Sequence, residues 1–278
     1  MLEPFQYSFF VNGSIAAVVV GALCGLIGVY VVLRGMSYIG HGLSHAIFGG
    51  AVVSYVMAWN FYLGAGLWGF LAALLINQTA RRARIGADAA IGVVTTASFA
   101  IGIALISKFR KFSRNFDAAL FGNILGVDTV DVLVISGIAI LIMIVVFVAY
   151  KRLLFTAFDS DVARVYGVRT EWVEVLFALA LAATLIASMQ ILGVTLIAAA
   201  LVVPAITARL LTDSFNRMVA YSMLIGALTG LAGMYVSFYA DVASGATIVL
   251  IQAFCFVVAL TIGAVRRSNE RRLAHTHV

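Results

Sequence analysis

His41 and His45 stand four residues apart in Tyr38-Ile-Gly-His41-Gly-Leu-Ser-His45-Ala46. On a helix that spacing puts both imidazoles on one face, with Cβ atoms about 5–6 Å apart. Neutral imidazole is the commonest metal ligand among side chains, so the pair suits two ligands of one cation. The same two rings would also serve as hydrogen-bond partners for neighbouring helices, and two histidines do not complete a metal site. Oxygen ligands from other elements are expected, but the sequence does not single them out. Gly40, Gly42, Gly49 and Gly50 thin the surrounding helix and leave room for a path or a close neighbour. An intramembrane metallopeptidase also places paired histidines on a helix, yet it needs a general base, as Glu supplies in His-Glu-x-x-His. Position 42 is glycine and the stretch 35–80 holds no carboxylate, which argues against that chemistry. No Gly-x-x-x-x-Gly-Lys-Ser/Thr phosphate cradle occurs either, so the chain does not bind ATP by that route.

The elements that must carry this pair are membrane helices. Of 278 residues, 63% are hydrophobic and 11% charged, and the mean hydropathy is +1.09. A soluble domain would carry about a quarter charged residues, so a soluble enzyme, a disordered tail and an ordinary nucleic-acid binder are excluded. The net charge of +6 fits the basic loops that orient membrane proteins. Cys24 and Cys255 both lie in apolar runs, suggesting neither a disulfide framework nor a thiolate metal site.

Charge-free stretches mark the spans at 4–33, 35–80, 89–107, 132–150, 175–208, 218–240 and 242–265. One crossing needs about 20 residues, so 35–80 holds two helices, near 36–57 and 62–80, turning at Trp59-Asn60. The 175–208 run is long for one crossing and short for two, with Gln190 and Gly193 available for a tight turn. Two crossings there give nine spans and place 14 of the 18 Lys and Arg residues on one side; one crossing gives eight spans and a split of 8 to 10. The positive-inside rule therefore prefers nine, with the N-terminus outside and the C-terminus in the cytoplasm. In that arrangement His45 lies nine residues into its helix, ~14 Å deep in a ~30 Å core.

Lys108, Arg110, Lys111 and Arg114 then fall on the outer side. They are either a tolerated exception or a basic rim that meets an acidic partner. Asp88, Asp131 and Asp241 sit only at span boundaries, so a proton relay of buried acids is poorly supported. On the cytoplasmic side, Phe158 to Arg169 reads as a short amphipathic helix. Asp159 opens it as a side-chain acceptor and Gly167 closes it. It is either a connector on the lipid surface or a docking element. The chain reads as a single transmembrane domain over 1–265, followed by a polar tail, 266–278, whose His275 and His277 are either solvated or metal contacts, the solvated reading being preferred.

Several segments resemble the membrane permease subunit of bacterial ABC importers for manganese, zinc or iron. They are His41-Gly-Leu-Ser-His45-Ala-Ile-Phe-Gly-Gly50, Asp88-Ala-Ala-Ile-Gly92, Leu120-Phe-Gly-Asn-Ile-Leu125, Asp159-x-x-x-Ala163-x-x-x-Gly167 and the proline-bearing Ala200–Leu211. The last is also similar to the related cobalamin and siderophore importers. The resemblance implies an all-α, polytopic bundle of the type II ABC importer permease kind, not itself an enzyme, with ATP hydrolysis on a separate cassette subunit. It implies a homodimer with the pathway between protomers, in the bacterial inner membrane. An extracytoplasmic metal-binding protein would deliver the ion. No cofactor is held permanently; the divalent ion is the substrate. His41 and His45 would coordinate it in transit, and Phe158, Asp159, Ala163 and Gly167 would shape the coupling helix that contacts the ATPase. Pro204 interrupts its helix's hydrogen-bond ladder and either allows a bend or serves packing. The family usually has aspartate where His41 stands. Imidazole in place of a hard carboxylate favours zinc or ferrous iron over manganese and removes one negative charge.

Overall fold

The computed structural model describes residues 3–82, 87–109, 120, 122 and 126–276, and side chains outside 80–88 and 264–276. A 3-10 turn (Glu3–Gln6) leads into α1 (Ser8–Leu33), α2 (Ser37–Val56), α3 (Phe61–Arg82) and α4 (Ala87–Phe109). Then follow α5 (Thr129–Phe158), the short α6 (Ser160–Val165), α7 (Thr170–Leu211), α8 (Phe215–Ala240) and α9 (Ser244–Thr276). No strand occurs among the described residues. The two helices expected within 35–80 are α2 and α3, with the turn at 57–60.

Among the described residues, seven helices are long and apolar enough to cross a membrane: α1, α3, α4, α5, α7, α8 and α9. α2 is not among them, because its histidines and serines lower the hydropathy of an otherwise apolar helix. It is nevertheless buried in the bundle, packed between α3, α4 and α7.

The long α7 is two helices joined at Gly193, whose φ of 70° and ψ of 160° are not helical. Contacts with α1 give the direction of each limb. In the first limb, Ser188 meets Cys24 (3.4 Å between Oγ and Sγ) and Phe177 lies under the Arg34 guanidinium at 4.3 Å. In the second, Leu201 packs at Gly28, and Ala205 and Ala208 cluster with Val29 and Val32. Along α1 from 24 to 34, contacts descend through the first limb and ascend through the second. The chain therefore reverses at Gly193. With that reversal the described residues hold nine long helical segments rather than eight.

Small residues bring the backbones together, as expected where lipid provides no hydrophobic drive for helix pairing. Gly21 and Gly226 meet face to face, Gly25 faces Ser222 and Gly230 faces Ala17, so α1 and α8 run antiparallel. The Ser222 hydroxyl donates to the Gly25 carbonyl at 2.7 Å. One end of the bundle gathers Arg34, Lys151, Arg152, Arg169, Arg209 and Arg217. There Arg34 donates to the Thr156 hydroxyl at 3.1 Å, and Tyr150 to Asn216 at 2.6 Å.

Candidate metal site on α2

The i, i+4 spacing does what the sequence demands: the His41 and His45 rings stand edge to face, centroids 4.6 Å apart and planes at 83°. A metal-bound imidazole nitrogen lies about 2.0–2.1 Å from its ion, so the pair could share an ion only through nitrogens turned to a common side of the touching rings. His41 is exposed on this protomer's surface and His45 half-buried. The buried Nδ1 of His45 has no hydrogen-bond partner. Since buried polar atoms are nearly always paired, this nitrogen is a candidate ligand position. Among the described residues no third His, Cys, Asp or Glu joins the two rings to make a metal cluster.

α2 is fixed from two sides. On the α4 side, Gly42 sits so close that a Cβ would press on Ile91 and, at 3.0 Å, on Thr95 Cγ2. Phe99 of α4 stacks edge-on against His45, centroids 5.1 Å apart, and holds that ring's orientation. The same α4 face carries Thr95 and Ser98, both buried, whose hydroxyls donate back to Gly92 and Val94 and keep free oxygen lone pairs. Sequence reading left this face unassigned, because neutral hydroxyls in an apolar run carry no charge signal. On the α7 side, the Ser44 hydroxyl lies 2.8 Å from the His41 carbonyl and 3.2 Å from the Val194 carbonyl. Ser44 thus ties the histidine helix to the residue after the α7 reversal.

That reversal is braced in turn. Leu120 and Gly122, from the third motif, pack against the backbone of Ile191, Leu192 and Gly193, and Thr195 donates to the Leu120 carbonyl at 2.8 Å. Nearby, the Tyr62 hydroxyl lies 2.9 Å from Asp131 Oδ1 and 3.0 Å from Gln190 Oε1. This cluster joins the starts of α3 and α5 to the top of α7's first limb. Its members are 59 or more residues apart, and no local pattern announces it.

The other expected residues lie elsewhere. Asp159 is the N-cap of α6, accepting from the amides of Asp161 at 3.0 Å and Val162 at 2.9 Å. Ala163 is buried, Phe158 is 68% exposed, and Gly167 has a φ of 81° just past the helix end. These four form one short, polar-capped element between α5 and α7. The outward apolar side of α6 is open: Val165 and Tyr166 are 85% and 76% exposed. Pro204 is buried in the second limb of α7, whose backbone stays helical there; the break is at Gly193. Lys108 is exposed in the last turn of α4, its Nζ 5.7 Å from the Phe109 ring centroid. Arg110, Lys111 and Arg114 fall outside the described residues. Cys24 and Cys255 are both free.

A polytopic all-α bundle, with a histidine pair on the buried α2 and a short capped helix between two spans, has the features that the resemblance to ABC permeases implies. The chain belongs to the ABC 3 transport family, which matches residues 6–263. It is 39% identical over 254 residues to the "Manganese transport system membrane protein MntC" of Listeria monocytogenes, covering 91% of this chain and 90% of that one. It is 35% identical over 259 residues to the "Chelated iron transport system membrane protein YfeC" of Yersinia pestis, covering 93% and 88%. The solved structure "PsaBC from Streptococcus pneumoniae in complex with Fab" superposes with a TM-score of 0.84 at 34% identity, over 93% of this chain and 92% of that one. An inward-facing putative metal-chelate type ABC transporter shares the fold, with a TM-score of 0.68 at 17% identity.

Proposed function

We propose that the chain is the membrane-spanning subunit of an ATP-driven importer of divalent transition-metal ions, with His41 and His45 as ligands of the ion in transit. The observation that carries this reading is the buried, unpartnered Nδ1 of His45 beside a second imidazole at 4.6 Å. Relatives named for manganese and iron transport at 35–39% identity support the cargo class. Two ligands from one protomer hold an ion weakly, which suits a carrier that must release it. The exposed position of His41 supports a pathway between two protomers. The remaining ligands come from water, the α4 hydroxyls or the second copy.

In this reading the basic end of the bundle is cytoplasmic, in the bacterial inner membrane, with the N-terminus outside. α6 is the coupling element: its exposed Val165 and Tyr166 present an apolar knob to a cassette ATPase, and the Asp159 cap keeps the helix rigid enough to transmit motion. An extracytoplasmic binding protein delivers the ion at the opposite end. The test is metal uptake into proteoliposomes by the complete ATPase-permease complex, comparing wild type with His41→Ala and His45→Ala. Loss of uptake with retained assembly supports the reading; unchanged uptake in both variants removes the pair from the pathway. Uptake of an intact metal chelate with no dependence on either histidine would instead favour a siderophore-type permease.

A further inference from the structure

At the basic end of the bundle, the last turns of α5, the turn after α6 and the first turns of α7 enclose a cavity of about 530 Å³. Its mouth carries two guanidiniums, Arg152 and Arg169, and no carboxylate lines it. Neither arginine makes an ion pair among the described residues; the nearby pair, Arg164 with Asp161 at 4.0 Å, leaves both untouched. Trp172, 69% exposed, stands at the same rim. An indole at the end of a membrane span occupies the headgroup level, with its ring toward lipid and its N–H toward water. Below the arginines the wall turns apolar through Ala149, Val173 and Leu176. The neighbouring α5 residue Val148, one helical turn from Arg152, is 79% exposed within a membrane span. The cavity is therefore cationic at the interface and greasy toward the bilayer, the reverse image of an anionic phospholipid.

We infer that this cavity binds the phosphate headgroup of an anionic phospholipid, with its acyl chains leaving toward the lipid past the half-buried Leu176 and the exposed Val148. Arg152 belongs to α5 and Arg169 immediately precedes α7, so one headgroup bridges the two elements that flank α6. The lipid thereby fixes the spacing of the segment's two anchors. The inference rests on the membrane placement of α5 and α7 and not on which ion is carried.

The experiment is native mass spectrometry of the full-length purified chain, offered phosphatidylglycerol and phosphatidylcholine in equal amounts. Wild type is expected to retain phosphatidylglycerol preferentially. A basic side chain near an anionic lipid surface contributes roughly five-fold in association, so Arg152→Gln with Arg169→Gln is expected to lower the preference by about 25-fold. Arg152→Lys with Arg169→Lys keeps most of it, and Arg217→Gln, on α8, leaves it unchanged. The same measurement on the complex with its ATPase subunit completes the test. Equal lipid preference in wild type and the double Gln variant overturns the inference, as does an equal loss in Arg217→Gln. Displacement of phosphatidylglycerol by the ATPase subunit also overturns it, because the cavity then belongs to the protein partner.

Discussion

Gly193→Ala is expected to be among the most damaging single-methyl changes in the chain. The backbone there holds φ 70° and ψ 160°, a region essentially reserved for glycine, and forcing another residue into it costs about 1–3 kcal/mol. An added Cβ would also drive into the Leu120 carbonyl and the Gly122 amide, backbone atoms that cannot rotate away. Overpacking of this kind adds roughly 1–3 kcal/mol. The two effects together give about 2–6 kcal/mol. Gly167→Ala is the internal control. Its φ of 81° is equally unsuited to alanine, but no atom lies within 4 Å of an added Cβ, so only the backbone cost of about 1–2 kcal/mol remains. Equilibrium unfolding of the purified variants in mixed micelles reads both. The expected order is a clear loss for Gly193→Ala and a smaller one for Gly167→Ala. Equal losses, or a harmless Gly193→Ala, would refute the reversal at this residue, because a continuous helix tolerates alanine better than glycine.

Other substitutions follow from single contacts. Tyr62→Phe strips the hydroxyl that meets both Asp131 and Gln190; leaving part-buried acceptors unpaired costs about 1–3 kcal/mol, measurable in the same unfolding assay, whereas no change would show that the cluster is solvated. Asp159→Ala removes both amide acceptors at the start of α6 and is expected to cost about 1 kcal/mol; ATP hydrolysis by the complex should become less dependent on cargo, while Asp159→Asn retains much of the wild-type coupling. Cys24 is fully buried against Ser188, so a maleimide reagent should reach it only after unfolding, whereas labelling of Cys24 in the folded chain would contradict this packing.

The elements were legible where charge or turn chemistry punctuates the sequence. A 46-residue charge-free run, 35–80, cannot be one crossing, and it divides into α2 and α3 at the expected place. Asp159 and Gly167 announce both ends of the short helix between spans. The run 175–208 offered no such mark, since neither charge nor proline sits at its midpoint. Gly193 was only a candidate there; the contacts of Cys24, Gly28 and Arg34 decide the reversal. The histidine pair was visible because its spacing equals one helical turn. Its surroundings were not: Phe99, Thr95 and Ser98 arrive from another helix, and in an apolar run they look like any lipid-facing residues. Pro204 stood out as the residue that breaks a helix ladder, but the chain reversal falls at Gly193, in a backbone conformation only glycine adopts easily, and the backbone at Pro204 stays helical.

The role of the two imidazoles is tested at the ion itself. X-ray absorption on the assembled transporter, held in a cargo-loaded state with zinc or iron, reports the atoms around the metal. Imidazole scattering with a nitrogen shell near 2.0–2.1 Å in the case of zinc, diminished in both His41→Ala and His45→Ala, is the expected result. A loaded, transport-competent assembly whose spectrum is identical in wild type and both variants would contradict it.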